Sequence, residues 1–166
     1  MPAYPFIERI LLAHELPPQL AAVVMVESAG DPNALSTKGA CGLWQLMPDT
    51  ARRYGLRVDD RLDERSDPVK AIYAAARYLR DVYPIFHEWP LALAACNAGE
   101  DRIQRLIQRT GIQQFAQMVS RRLLPAETIH YVPAVLNLMQ QTPSIICRAM
   151  NRRVRRKIWV LGGICG

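Results

Sequence analysis

Prolines set the grain of this chain. Pro18, Pro48, Pro68, Pro90 and Pro125 each stand where a new segment begins. Proline is tolerated in the first turn of a helix, where its missing N–H has no partner to lose, but not in a strand ladder or a helix interior. Between the prolines, apolar residues recur three and four positions apart, the spacing that puts side chains on one helical face. Phe6, Ile7, Ile10 and Leu11 predict a short helix over about 6–15, and Pro17-Pro18 ends it and starts a second, running to about Ala29. Pro48 opens a short helix that ends near Gly55. Ser66-Asp67-Pro68 is a helix start, succeeded by Val69, Ile72, Tyr73, Ala76 and Leu79 on one face. Trp89-Pro90 starts a very apolar helix, Leu91 to Cys96, stopped at Asn97-Ala98-Gly99. Ile103, Leu106 and Ile107 mark one more, and Phe115, Met118 and Val119 another. Leu124-Pro125 starts the last, with Ile129, Val132, Val135, Leu136 and Met139 inward.

No strand-like alternation of any length interrupts this pattern, and no internal repeat is present. The fold class is therefore mainly α: seven or eight helices in one domain over residues 5–142. It has at most a small β-hairpin, placed near 36–46 where Ser36, Gly39 and Gly42 break the helical period. Residues 56–66 read as a polar, charge-dense loop. A chain of 166 residues suits one such domain with a sizeable core.

Charge separates the domain from the C-terminal residues. Residues 1–143 hold fifteen Lys/Arg and fifteen Asp/Glu, so they balance, and the net charge of +6 belongs to Arg148, Arg152, Arg153, Arg155, Arg156 and Lys157. A neutral domain argues against nucleic acid as a partner of its surface. Residues 143–166 form a basic tail that reads as a solvated terminus, with an anionic lipid, nucleic acid or acidic protein surface as the alternative. The N-terminus lacks the basic start and long apolar stretch of a signal peptide, and no run approaches the ~20 apolar residues of a membrane span. Cys41, Cys96, Cys147 and Cys165 show no metal-ligand spacing and read as buried thiols, with a disulfide as the alternative in an oxidising compartment.

One residue breaks the apolar rule. Glu27 ends the run Val23-Val24-Met25-Val26, and Leu20, Val23 and Val24 share its helical face. Gly30, as the left-handed cap, and Asp31-Pro32 stop the helix here, so Glu27 falls in its last turn. The helix dipole and partial burial both disfavour a negative charge at that place and predict a pKa raised toward ~6. A carboxyl that is still protonated near neutral pH is what a general acid requires. A surface glutamate at a frayed helix end is the alternative on this segment alone.

The motifs decide between the two. Glu27-Ser28, Ser36, Gly39-Ala-Cys-Gly-Leu-Trp-Gln-Leu-Met-Pro48 with Thr50-Ala51, Ala95-Cys-Asn-Ala-Gly99, and Leu124-Pro-Ala-Glu-Thr-Ile-His-Tyr-Val132 succeed one another along the chain. Together they resemble the catalytic domain of soluble lytic transglycosylases (SLT), an all-α, goose-lysozyme-like fold. The likeness covers about residues 5–140, and five motifs in order are far more specific than any one. The resemblance implies peptidoglycan glycan strands as substrate and a periplasmic or cell-envelope location. It implies non-hydrolytic cleavage of the MurNAc-β-1,4-GlcNAc bond to a 1,6-anhydro end, with no metal or organic cofactor. Small enzymes of this family also serve secretion, pilus and conjugation machines. A hydrolytic muramidase and a non-catalytic wall-binding accessory stand as alternatives.

Position by position, the resemblance implies that Glu27 is the only catalytic acid/base. Ser36 and Gln45 line the groove, Met47 packs against the sugar, Asn97 contacts the N-acetyl region or supports the groove, and Tyr131 directs its hydroxyl at Glu27. Turn formation for Ser36, core packing for Met47 and Tyr131, and helix capping for Asn97 are the structural alternatives. Asp31 belongs to the helix stop and Asp49 to the capping of the next helix. Two positions depart from the family: Cys96 stands where Tyr is usual before Asn97, and Trp44 where Met is usual. Cys41 and Cys96 both lie in motif segments, which places them close enough to pair.

Overall fold

The computed structural model describes residues 4–141. Eight α-helices run through it: α1 Tyr4–Ala13, α2 Ala22–Ser28, α3 Pro48–Arg53, α4 Pro68–Phe86, α5 Trp89–Ala98, α6 Glu100–Thr110, α7 Phe115–Ser120 and α8 Ala126–Gln141. Short 3-10 turns at Pro18–Ala21 and Glu64–Ser66 complete the helical part. The basic tail, its boundary at Pro143, and Cys147 and Cys165 lie outside the described residues.

The apolar run after Trp89 explains the architecture. Leu91, Ala92, Leu93, Ala94 and Ala95 are fully buried. A helix that is apolar all round must be covered on all sides, and α5 packs on α4, α6, α7 and α8. Its alanines, and Ala71, Ala74, Ala75 and Ala76 of α4, let the helix axes approach. Asp67 caps α4, accepting from the backbone N–H groups of Val69 and Lys70 at 2.9 and 3.1 Å. Ile72, Leu79, Val82 and Phe86 then face the core, whereas Val69 and Tyr73, expected on that face, are exposed. They fall at its edge, where the alanines take the closest approach. α8 lies between α2 and α5, and this sets the end of α2 opposite the middle of α8.

Two local features differ from expectation. The two-stranded sheet is Val58–Asp59 paired antiparallel with Leu62–Asp63, which are β1 and β2, inside the segment read as a polar loop. The excursion near 36–46 carries only single bridges, Leu35 to Cys41 and Cys41 to Leu46. Strand periodicity cannot show in two-residue strands, so the sheet at 58–63 was not visible. Secondly, Ala29 rather than Gly30 forms the left-handed cap of α2, at φ 52°, with Gly30 also at positive φ.

Candidate active site

The α2 helix starts from the buried 3-10 turn and buries Ala22, Val23 and Val24. Glu27, one turn later, is half-buried at the point where the helix leaves the core. Ser28 fastens that end: its hydroxyl lies 3.0 Å from both the Val24 and the Leu43 carbonyl oxygens, so the helix end is tied to the loop across from it. Asp31 turns away, accepting from the Asn33 N–H at 2.9 Å in a local turn.

Glu27 looks into a small cavity. Its wall is Val23 and Glu27 of α2, Trp44 to Met47 of the loop and Thr50 of α3, with Tyr78 of α4, Cys96 of α5 and Tyr131 of α8 closing it. The free space is about 60 Å³, room for a few water molecules. Glu27 is the only carboxylate among the lining residues. Burial pushes its pKa from 4.5 up to about 7. Contact with the Tyr131 hydroxyl works in the other direction, favouring the ionised form, and the charge of Glu127 adds to the rise. The direction agrees with the expectation, and burial is its main cause.

The Tyr131 hydroxyl itself is fully buried and closes no hydrogen bond of good geometry among the described residues. It nonetheless lies near enough to Glu27 for each to shift the other. Trp44 Nε1 is likewise buried without a partner there. Unpaired buried donors are rare in folded chains, and both of these belong to residues that form the cavity wall.

The other expected residues divide. Gln45 lines the cavity, in a left-handed conformation at φ 45°. Its Nε2 donates to the Ala34 and Gly42 carbonyls at 3.0 and 2.9 Å, which leaves the Oε1 as the atom it can offer. Met47 is at the rim, 45% exposed. Ser36 and Asn97 are not in the wall. The Ser36 hydroxyl accepts from the Ala40 N–H at 2.9 Å, while its own N–H donates to the Ala40 carbonyl. Asn97 Oδ1 accepts from the Thr128 hydroxyl at 2.8 Å, tying α5 to α8. Asp49, in the first turn of α3, pairs with Arg52 at 3.1 Å.

Cys41 and Cys96 do not pair; both are free thiols. Cys41 is turned behind the loop, its sulfur 3.5 Å from Ser66 Oγ. Cys96 sits in the cavity wall beside Tyr78, and burial pushes its thiol up to about 12, so it is inert as a nucleophile. Tyr78 was missed in the sequence because it lies off the apolar face of α4 formed by Val69, Ile72, Tyr73, Ala76 and Leu79. A larger open concavity of about 620 Å³, lined by Arg102, Arg105, Arg109 and Leu123 among others, has no carboxylate, histidine or thiol in its lining. Among the described residues no cluster of His, Cys, Asp and Glu could hold a metal ion, and no helix is long and apolar enough to cross a membrane.

Comparison with known proteins places this geometry. The family model described as Transglycosylase SLT domain matches residues 6–119. The chain belongs to the SLT transglycosylase family. Membrane-bound lytic murein transglycosylase D of Escherichia coli (strain K12) is 36% identical over 124 residues, 74% of this chain and 27% of that protein. Among solved structures, the 70 kDa soluble lytic transglycosylase SLT70 of Escherichia coli superposes with a TM-score of 0.69 at 28% identity. The same enzyme is also known in complex with bulgecin A. An inactive Glu-to-Gln mutant of the lytic transglycosylase Slt from Pseudomonas aeruginosa gives 0.68 at 29% identity. Each alignment covers 81% of this SLT chain and 23% of the other. The chain thus spans about a quarter of the length of these relatives.

Proposed function

We propose that this chain is a lytic transglycosylase that cleaves the MurNAc-β-1,4-GlcNAc bond of peptidoglycan without water. The observation that carries this reading is the lone carboxyl in the cavity wall, with its pKa raised to about 7. Most glycosidases use two carboxylates, one as acid and one as base or nucleophile. Here Glu127, the carboxylate whose charge reaches Glu27, is outside the wall and engaged by Lys38 at 2.8 Å. A single acid suffices when the sugar supplies the nucleophile.

Protonated Glu27 gives its proton to the glycosidic oxygen as the bond from C1 breaks. The 2-acetamido oxygen of the muramic residue stabilises C1 as positive charge develops. Glu27, now ionised and favoured in that form by Tyr131, takes the proton of the C6 hydroxyl, whose oxygen closes on C1 to form the 1,6-anhydro ring. A pKa near the working pH lets one group serve both halves. The enclosed space fits an acetamido-sized group rather than a sugar ring, so the glycan lies across its mouth. Met47 at the rim packs on the sugar, and Gln45 Oε1 receives a polar hydrogen. Ser36 and Asn97 act indirectly, by shaping the loop and by joining α5 to α8.

The relatives, murein transglycosylases among them, support peptidoglycan as substrate and the cell envelope as the place of action. Local opening of the wall for a secretion, pilus or conjugation machine is one setting that such an activity would serve. Mass spectrometry of products from purified peptidoglycan tests the function. Anhydro ends lighter by one water, absent with Glu27→Gln, are expected. Reducing ends without the anhydro form would make the chain a muramidase, and binding without fragments a wall-binding accessory.

A further inference from the structure

We propose that Arg65 is a positioning residue: its guanidinium brackets the loop that carries Gln45 and Met47 and so sets the width of the sugar-binding rim. This rests on the reading of the cavity as a glycan site.

Arginine is rarely buried unless its fork of donors is filled. Arg65 is 5% exposed. Nε and Nη2 grip the Asp63 carboxylate at 2.9 and 2.6 Å. Nη1 donates to two backbone carbonyls, Gly39 at 2.7 Å and Leu46 at 2.9 Å. Those two carbonyls flank the turn that presents Trp44 and Gln45, and the second immediately precedes Met47. One planar group therefore fixes the distance between the two arms of the loop. The side chain comes from the 3-10 turn after β2, so the charge-dense hairpin has a use that core packing does not explain: it delivers Asp63 and Arg65 together.

Gly42 makes the close approach possible. It stands at φ 81°, and a Cβ there would meet the Arg65 carbonyl oxygen at 2.0 Å. Any side chain at 42 would push the loop off its bracket. Lysine cannot replace the arginine, because an ammonium is a point charge without a fixed fork.

Arg65→Lys in the full chain tests this on soluble glycan strands. Loosening a substrate-contacting loop without touching the acid is expected to raise KM roughly ten-fold with kcat changed less than about three-fold. The pH limb set by Glu27 should stay where it is. Hydrogen exchange of the ligand-free protein should be faster at residues 41–46 and unchanged in α5. An unchanged KM with unchanged exchange, or a loss confined to kcat, overturns the proposal. Should Arg65→Lys fail to fold cooperatively, Asp63→Asn, which keeps the guanidinium but frees its fork, reads the same quantities. A wild-type chain that cleaves nothing refutes the functional reading, and the exchange measurement then still decides whether the bracket exists.

Discussion

The helical frame and the loop over residues 31–47 are held by different forces. In the frame, α5 and its neighbours are fixed by apolar area, with side chains such as Leu91 and Leu93 fully buried. In the loop, Leu43, Trp44 and Leu46 reach the core, but the path between them is set by polar bonds from Ser28, Gln45 and Arg65. The frame carries the acid and the loop carries the rim. Proton transfer and substrate binding are therefore expected to separate along this line.

Gly42→Ala should have the largest effect, because it places a methyl group inside the van der Waals radius of backbone and forces a left-handed residue. A loss above roughly 3 kcal/mol is expected, read from denaturant unfolding. Gly39, at φ 87° with nothing within 4 Å of an added Cβ, should lose only ~1 kcal/mol as alanine. Equal losses at the two glycines would remove the bracket from the account.

Leu91→Ala tests the frame. Deleting a fully buried side chain should lose ~2–5 kcal/mol, while turnover per folded molecule stays near wild type at low temperature. A fall in kcat without a fall in stability would show that the two regions are not separable.

Tyr131→Phe acts at the seam. Its hydroxyl favours ionised Glu27, so its removal should move the Glu27 limb of the pH profile to higher pH. The turnover rate should fall roughly ten-fold, because ionised Glu27 loses the polar group that favours it. An unmoved limb would separate Tyr131 from the acid.

Glu27→Gln should melt higher than wild type by a few degrees at about pH 8. The folded chain holds the Glu27 proton up to about pH 7, whereas an ordinary carboxyl loses it near 4.5. Between those values the folded state binds more protons, so wild-type stability falls as pH rises through the window. The glutamine has no such loss, and the difference should vanish near about pH 4. Calorimetry at both pH values measures it.

The sequence made the frame legible because helix periodicity and proline starts are local signals. Leu91 to Cys96 could only be a buried helix, and Leu20, Val23 and Val24 put Glu27 at the edge of the core by spacing alone. The rim was less legible because its bonds join residues far apart. Arg65 looks like one charge among many until Gly39 and Leu46 arrive beside it. Ser36 and Asn97 are held by bonds to Ala40 and Thr128 that no spacing rule encodes. Tyr78 was hidden because it lies off the apolar face read on α4, and the hairpin at 58–63 because two-residue strands show no alternation.

The titration of the Glu27 side-chain carboxyl, tracked by its carbon resonance in the wild-type protein, bears most directly on the claim that one half-buried acid performs both proton transfers. A midpoint at about 7 is expected. A midpoint close to the ordinary 4.5 would leave no protonated acid at neutral pH and would contradict the mechanism.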